Sequence, residues 1–318
     1  MMGRNNQRDG SVAGVLDFRI QTFLSVCRNM SFTAASEELH ITQPAVSQHI
    51  RYLEKAYGCP LFIRDGKRVS LTPAGEVLLH TMGSLQNDHL ALVRRMQEAG
   101  GTKKTLTFGV TLTIGEYAIL PALAQYLKEH PDINVQVRYG NTHTLVDLLH
   151  EGKIDFALVE GYVPMDDFDT LVDRMEPYLP VCAKGHVFQK PVSTLKDLLG
   201  ERLLIREEGS GTREILEKYL SALNLSLADF THYAQVENMH SIVGLLLRDC
   251  GITFLYQAAV QDLLQQGLVE IIPISDFQMH HEFTFIWNKN SCFAGEYRDI
   301  CRQLHSADAR SLDELPLP

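Results

Sequence analysis

The sequence lacks the motifs that most enzyme classes carry. It has no Gly-x-Ser-x-Gly elbow, no dinucleotide fingerprint and no phosphate loop ending in Lys-Ser/Thr, so the sequence-readable hydrolase, dehydrogenase and nucleotidase sites are missing. Its cysteines, Cys27, Cys59, Cys182, Cys250, Cys292 and Cys301, lie far apart with no CxxC or Cys/His spacing. That excludes a zinc knuckle and leaves reduced thiols as the reading. A redox pair of Cys182 with Cys250 would need thiolate-stabilising cations that its flanks do not supply. The acidic pairs Asp166-Asp167 and Glu207-Glu208 are adjacent in sequence, so in extended chain their side chains diverge and read as solvated surface. No metal, cofactor or catalytic residue is expected. No apolar run approaches the roughly 18–20 residues that span a bilayer, so no membrane partner is expected. The opening MMGRNNQRDGSVAG is polar and glycine-rich without a signal peptide's apolar core, and reads as a flexible tail on a cytoplasmic protein.

The chain is also short of cations overall, with a net charge of −10. The deficit is uneven. Residues 1–75 hold nine Lys/Arg against six Asp/Glu, a balance of +3, and the remaining twenty cations and thirty-three anions give the rest −13. A small basic head in front of an acidic body fits a DNA-binding module on a soluble carrier.

Residues 31–51, SFTAASEELHITQPAVSQHIR, read as two short helices joined by a tight turn. Ser31 is a good N-cap, and Ala34, Ala35 and Leu39 give a small apolar face at helical spacing. Thr42 caps a second helix with Pro44 in its first turn, where proline is tolerated. Ala45, Val46, Ile50 and Leu53 face inward, leaving Gln43, Ser47, Gln48 and Arg51 outside. A polar outer face of this kind suits the major groove, where Gln and Arg read base edges. Next come an extended run Pro60–Arg64, a turn Asp65-Gly66-Lys67-Arg68 and a returning strand Val69-Ser70-Leu71. This is a wing with cations at its tip, able to lie along phosphates.

These residues carry a family resemblance. Leu16-Asp17-Phe18, Ser31-Phe32-Thr33-Ala34-Ala35, Thr42-Gln43-Pro44-Ala45-Val46-Ser47, Ile50-Arg51-Tyr52-Leu53-Glu54, Leu61-Phe62 with Arg64, and Leu71-Thr72-Pro73-Ala74-Gly75 follow the order and spacing of the winged helix-turn-helix of LysR-type transcriptional regulators. The resemblance implies an α/β protein with three parts. They are a DNA-binding winged helix-turn-helix over 16–73, a linker helix over 74–100 that dimerises, and a two-lobed periplasmic-binding-protein-like effector domain over 105–305. It implies double-stranded promoter or operator DNA as partner, a homodimer and further a homotetramer. The DNA-contacting residues are then Thr33, Thr42, Gln43, Pro44, Ala45, Ser47, Gln48 and Arg51 in the groove, with Arg64, Lys67 and Arg68 on the backbone. The alternative is a solute-binding receptor module with an accessory helix-turn-helix. The missing signal peptide and the fit over nearly the whole chain count against it.

From Pro73 to about Ala99 the pattern is helical. Leu78, Met82, Leu85, His89, Leu92 and Met96 step by 4, 3, 4, 3, 4, a heptad seam on a rod of about 37 Å. Gly100-Gly101-Thr102-Lys103-Lys104 reads as a hinge. Beyond it β- and α-patterns alternate. They run through Thr105–Val110, a helix Ile114–His130, Ile133–Tyr139, a helix Thr144–Glu151 and Ile154–Glu160, and predict a parallel sheet with helices on both faces. A second series follows from Leu179–Ala183 and a helix Ser193–Leu199 to a closing helix Ala294–His305. The tail SADARSLDELPLP reads as disordered. By the resemblance, the crossovers lie near 161 and 276. The first lobe is then 105–161 with 277–305, and the second 162–276.

In open α/β sheets ligands bind where strands end and helices begin. Three such junctions are polar: Val110–Thr113, Gly140-Asn141-Thr142 and Glu208-Gly209-Ser210-Gly211-Thr212-Arg213. They offer hydroxyls and free backbone N–H groups at helix N-termini, which favour anions. The effector residues expected are Thr111, Thr113, Asn141 and Thr142 on one wall. Ser210, Gly211, Thr212 and Arg213 form the other, with Arg213 forking to a carboxylate or oxyanion and His240 nearby. The expected effector is a small anion. Thr111, Thr113 and Thr142 taken singly equally allow simple caps, whereas Gly209-Ser210-Gly211-Thr212-Arg213 exceeds what a cap requires and favours a ligand, and His240 fits a cap-region surface residue better.

Arg51→Ala and Gln43→Ala should each weaken operator binding by about 1–3 kcal/mol in a mobility-shift titration, with folding intact. Unchanged affinity in both would overturn the groove assignment.

Overall fold

The structure, a computed structural model, describes residues 17–66, 68–164 and 167–305. Both tails, Lys67 of the wing and Asp166 of the acidic pair lie outside the described residues. The chain forms two compact units that divide between Val93 and Arg94.

The first unit begins with α1 (Phe18–Asn29), α2 (Phe32–Glu38) and α3 (Gln43–Tyr57). Ser31 Oγ accepts from the Ala34 N–H at 3.2 Å, and Thr42 Oγ1 from the Ala45 N–H at 3.4 Å, so both predicted caps form. Phe23, Val26, Ala35 and Val46 are fully buried where the three helices cross. Alanine at 35 is what lets α2 approach. Glu38 ties α2 to α1 by accepting from Ser25 and pairing with Arg28. The wing is β1 (Phe62–Asp65) antiparallel to β2 (Arg68–Leu71), with Phe62 opposite Leu71. α4 (Pro73–Ala99) leaves it directly. A Cβ at Gly75 would lie 2.2 Å from the Leu61 carbonyl oxygen, so only glycine allows the helix to start against the wing.

The second unit opens with β3 (Thr105–Thr111), α5 (Leu112–Tyr117), α6 (Leu120–Glu129), β4 (Asn134–Gly140), α7 (Thr142–His150) and β5 (Phe156–Val159). β4, β3 and β5 lie side by side and parallel, as predicted. The single helix expected over Ile114–His130 is two, because Pro121 cannot follow Tyr117 in one helix without its ring meeting that residue's carbonyl. Pro121 instead occupies the first turn of α6. The chain continues through β6 (Phe168–Ala183), β7 (Arg202–Ile205), α8 (Gly211–Ala222), β8 (His232–Gln235), α9 (Met239–Leu246), β9 (Thr253–Tyr256), α10 (Gln257–Gln265), β10 (Val269–Ile271), β11 (Met279–Asn288) and α11 (Ala294–Gln303). The helix expected over Ser193–Leu199 is a 3-10 segment, Leu195–Gly200, held by a Thr194/Asp197 capping box.

The main sheet runs β10-β6-β11-β5-β3-β4, with β9 also on β6. It is mixed rather than parallel, because β6 pairs antiparallel with β11, β9 and β10. β6 lies beside β11 from Phe168 to Tyr178 and then passes to β9 and β10. The first half of β6 escapes sequence patterning because it carries Asp169, Asp173, Arg174 and Glu176. Two of these acids are answered from far along the chain. Glu176 accepts from the Ala258 N–H at 2.7 Å and Asp173 pairs with His305 at 3.0 Å. Helices cover both sheet faces. Leu145, Leu149, Val159 and Ile286 pack in one cluster, while Phe108, Phe156, Phe285 and Trp287 pack in another.

The end of α4 belongs to this second unit. Arg94 donates to the Gly152 carbonyl at 3.1 Å and pairs with Asp155, while Arg95 pairs with Glu296 and stacks on Phe293 at 3.8 Å. Glu98 accepts from the Thr105 N–H at 2.9 Å. The predicted hinge at Gly100-Gly101 is thus bracketed by fixed contacts.

Along the heptad stripe Leu78 is buried, but Leu85, Leu92 and Met96 are 46%, 46% and 66% exposed in the single chain. An apolar seam left open on a rod calls for a partner helix. Leu85→Asp should therefore lower the sedimenting mass and weaken operator binding. Unchanged mass would place the dimer contact elsewhere.

Candidate DNA-reading face and effector cleft

On α3 the outward residues are Thr42, Gln43, Pro44, Gln48 and Arg51, all exposed, with Ala45 half-buried. Thr33 on α2 is exposed beside them. Ser47 is a correction, since it is 9% exposed and its hydroxyl accepts from Gln43 Nε2 at 3.2 Å. It orients Gln43 rather than facing a groove, because position 47 falls on the stripe with Val46 and Ile50. On the wing Arg64 and Arg68 are exposed. The Arg64 guanidinium sits 3.7 Å over the Phe32 ring, which holds the cation in place at low entropic cost.

In the second unit the polar strand ends converge. Thr111, Thr113, Thr142, Ser210 and Thr212 are all buried. The residue they surround is Glu160, which ends the apolar run of β5 and is 1% exposed. Its carboxylate accepts from Thr111 Oγ1 and, at 3.2 Å, from Thr212 Oγ1. Its carbonyl accepts from Thr142 Oγ1 at 2.6 Å. Thr113 Oγ1 lies 3.4 Å from Thr212 Oγ1, and Tyr178 OH donates to the Thr212 carbonyl at 2.9 Å. Backbones meet here too. A Cβ at Gly211 would sit 2.2 Å from the Glu160 oxygen, and one at Gly161 (φ +95°) 2.6 Å from the Gly211 Cα. Two glycines are therefore required for this closure.

Three buried polar groups in this region have no partner among the described residues: Ser210 Oγ, Arg206 Nη1 and Tyr256 OH. Ser210 is the N-cap of α8, yet its hydroxyl makes no capping bond. Arg206, 2% exposed at the end of β7, spends Nε and Nη2 on Glu207 at 2.8 and 2.9 Å and leaves Nη1 over. Ser210 Oγ at the start of α8 and Arg206 Nη1 are donors left without an acceptor, the chemistry that an anion satisfies. Behind α8, a mostly apolar cavity of about 10 Å³ lies between Arg206, Thr212 and Tyr178 and the side of Leu216, Ile242 and Phe254, room for no more than one water.

Comparison with known proteins agrees with both halves. The pattern described as "Bacterial regulatory helix-turn-helix protein, lysR family" matches residues 19–76, and "LysR substrate binding domain" matches residues 99–299. The chain belongs to the LysR family. It is a DNA-binding transcriptional regulator modulated by a small-molecule effector, not an enzyme. Among its relatives, the "HTH-type transcriptional regulator CysL" of Bacillus subtilis is 29% identical over 276 residues, covering 84% of this chain and 89% of that one. The "RuBisCO operon transcriptional regulator" of Acidithiobacillus ferrooxidans is 27% identical over 310 residues, covering 94% and 97%. ArgP from Mycobacterium tuberculosis shares the fold with a TM-score of 0.61 at 20% identity, covering 94% and 100%. The Synechocystis CcmR regulatory domain, solved with 2-PG, does so at 0.57 and 16%, covering 66% and 99%. No helix among the described residues of this LysR-type chain is long and apolar enough to cross a membrane.

Two expected effector residues of the regulator are corrected. Arg213 turns away from the threonines. Its Nε donates to Glu217 at 2.8 Å and its Nη1 to Gln235 at 2.9 Å, because Glu217 stands one helical turn along on the same face. His240 is out on the surface with an 83% exposed side chain, 3.6 Å from Glu116. Asn141 is a cap, accepting from the Thr144 N–H at 2.9 Å, and its amide reaches Glu207 at 3.4 Å. Glu207, expected to be solvated, is instead the half-buried partner of Arg206. Glu160, Arg206, Tyr178 and Tyr256 were missed. The first two were legible as charges closing apolar strands, DFALVE and RLLIR. The tyrosines carried no signal. Burial pushes the Cys182 thiol up to about 11, which fits an inert cysteine.

Burial is the largest influence on Glu160 and pushes its carboxyl above the ordinary 4.5. The Thr111 hydrogen bond, the Arg206 charge and Thr212 pull the other way. A raised carboxyl in the folded state contributes stability below about 4.5 that is lost as pH rises through the folded value. The melting-temperature advantage of Glu160→Gln over the parent should therefore grow from pH 4.5 to neutral. A difference independent of pH would show that Glu160 titrates normally.

Proposed function

We propose that this regulator senses a small anionic effector seated at the N-terminus of α8, between Ser210, Thr212 and Arg206 on one side and Thr111, Thr113 and Thr142 on the other. The observation that carries this reading is the pair of buried donors without acceptors, Ser210 Oγ and Arg206 Nη1. An anion would satisfy both, adding charge-assisted hydrogen bonds where burial makes an unmade bond costly. Gly211 lets the start of α8 touch the end of β5, which brings these donors to one place.

The exposed face of α3, with Thr33 and the wing cations Arg64 and Arg68, supports promoter or operator recognition. Lys67 joins them by sequence. The open seam of α4 supports a homodimer, and the family resemblance extends this to a homotetramer acting on DNA in the cytoplasm.

A thermal-shift screen of small oxyanions and carboxylates should identify the effector by mass-action stabilisation. With that effector, Ser210→Ala should weaken binding about ten- to hundredfold for one lost charge-assisted bond. Arg213→Ala should leave affinity unchanged, and both variants should still bind DNA without effector. Full affinity in Ser210→Ala and Thr111→Ala would remove the effector from this cleft.

A further inference from the structure

Anion sites are built from donors, yet the centre of this one is a carboxyl group. Glu160 is buried at the Gly161–Gly211 contact and shares Thr212 with the start of α8, the same turn that carries the unpartnered Ser210 Oγ. An ionised carboxylate only accepts, and with about four lone-pair sites it has capacity for one more donor beyond the hydroxyls of Thr111, Thr212 and Thr113. The cation acting on it is Arg206 from β7, already engaged by Glu207. From β6 and β9 it faces the phenols of Tyr178 and Tyr256, whose burial keeps them protonated. With Glu160 ionised, these charged groups together are net negative. An anion whose oxygens are all bare would meet like charge in a poorly screened interior. An anion that keeps a hydroxyl would turn the same contact into a hydrogen bond.

We infer, building on the anionic-effector reading, that the cleft selects an anion bearing its own O–H donor. That hydroxyl donates to the Glu160 carboxylate while the charged end accepts from Ser210 Oγ and Arg206 Nη1. The ligand class is a hydrogen-oxyanion or a small hydroxy acid. Glu160 is then the specificity residue. A site with a buried acceptor rejects analogues that cannot supply the donor, since the acceptor is left unpaired.

Two matched pairs of probes test this by isothermal titration of the full-length protein at neutral pH. Phosphate keeps a proton that sulfate lacks, and glycolate has a hydroxyl that acetate lacks. The better member of at least one pair should win by about tenfold or more, the scale of one hydrogen bond to a charged group. The winning pair distinguishes a hydrogen-oxyanion from a hydroxy acid. Glu160→Gln, whose amide supplies a donor, should erase the preference, while Ser210→Ala should weaken both members alike and keep it. Should the glutamine variant not fold, Glu160→Asp, which withdraws the acceptor, should lose affinity only for the hydroxyl-bearing probe. Equal binding within both pairs overturns the inference. So does a preference that survives in Glu160→Gln, or tight sulfate binding with a proton taken up from buffer. If none of the four probes binds the parent protein, the anion-site reading itself falls and takes this one with it.

Discussion

The effector unit depends on one close approach. β5 ends against the start of α8 with backbones near enough that neither Gly161 nor Gly211 tolerates a Cβ. That contact buries Glu160, shuts Thr111, Thr113, Thr142 and Thr212 away from solvent, and leaves Ser210 and Arg206 with donors unspent. A buried unpaired donor costs on the order of 1–3 kcal/mol, a cost that the anion proposed above would relieve.

The two units have separate cores. Phe23, Val26, Ala35 and Val46 close the reading head, while Phe108, Phe156 and Trp287 close the effector body. Separate cores let the DNA-reading and effector-binding chemistries be altered independently. α4 serves both. Leu78 is buried in the head, and Arg94 and Arg95 pair with acids of the body. The apolar stripe between those attachments is the part left open.

The sequence was most legible where structure is local. Both caps of the helix-turn-helix, the start of α3 at Gln43, the wing and the full extent of α4 follow from cap residues, periodicity and turn chemistry within a few residues of each position. It was least legible where charge hides a strand. The first half of β6 reads as polar coil until Ala258 and His305, from distant elements, satisfy Glu176 and Asp173.

The sequence by itself determined the family, the division into a basic reading head and an acidic body, and which strand ends are polar, because these properties are written in spacing and composition. Only the tertiary structure decided which of those polar residues meet. It turned Ser47 inward to orient Gln43, sent Arg213 to Glu217 and left His240 on the surface. It brought Glu160 and Arg206 to the centre, although no motif contains them. A side chain's direction is set by the register of its element and by neighbours far along the chain, so a site assembled from β3, β5, β7 and α8 exists only once the sheet has paired.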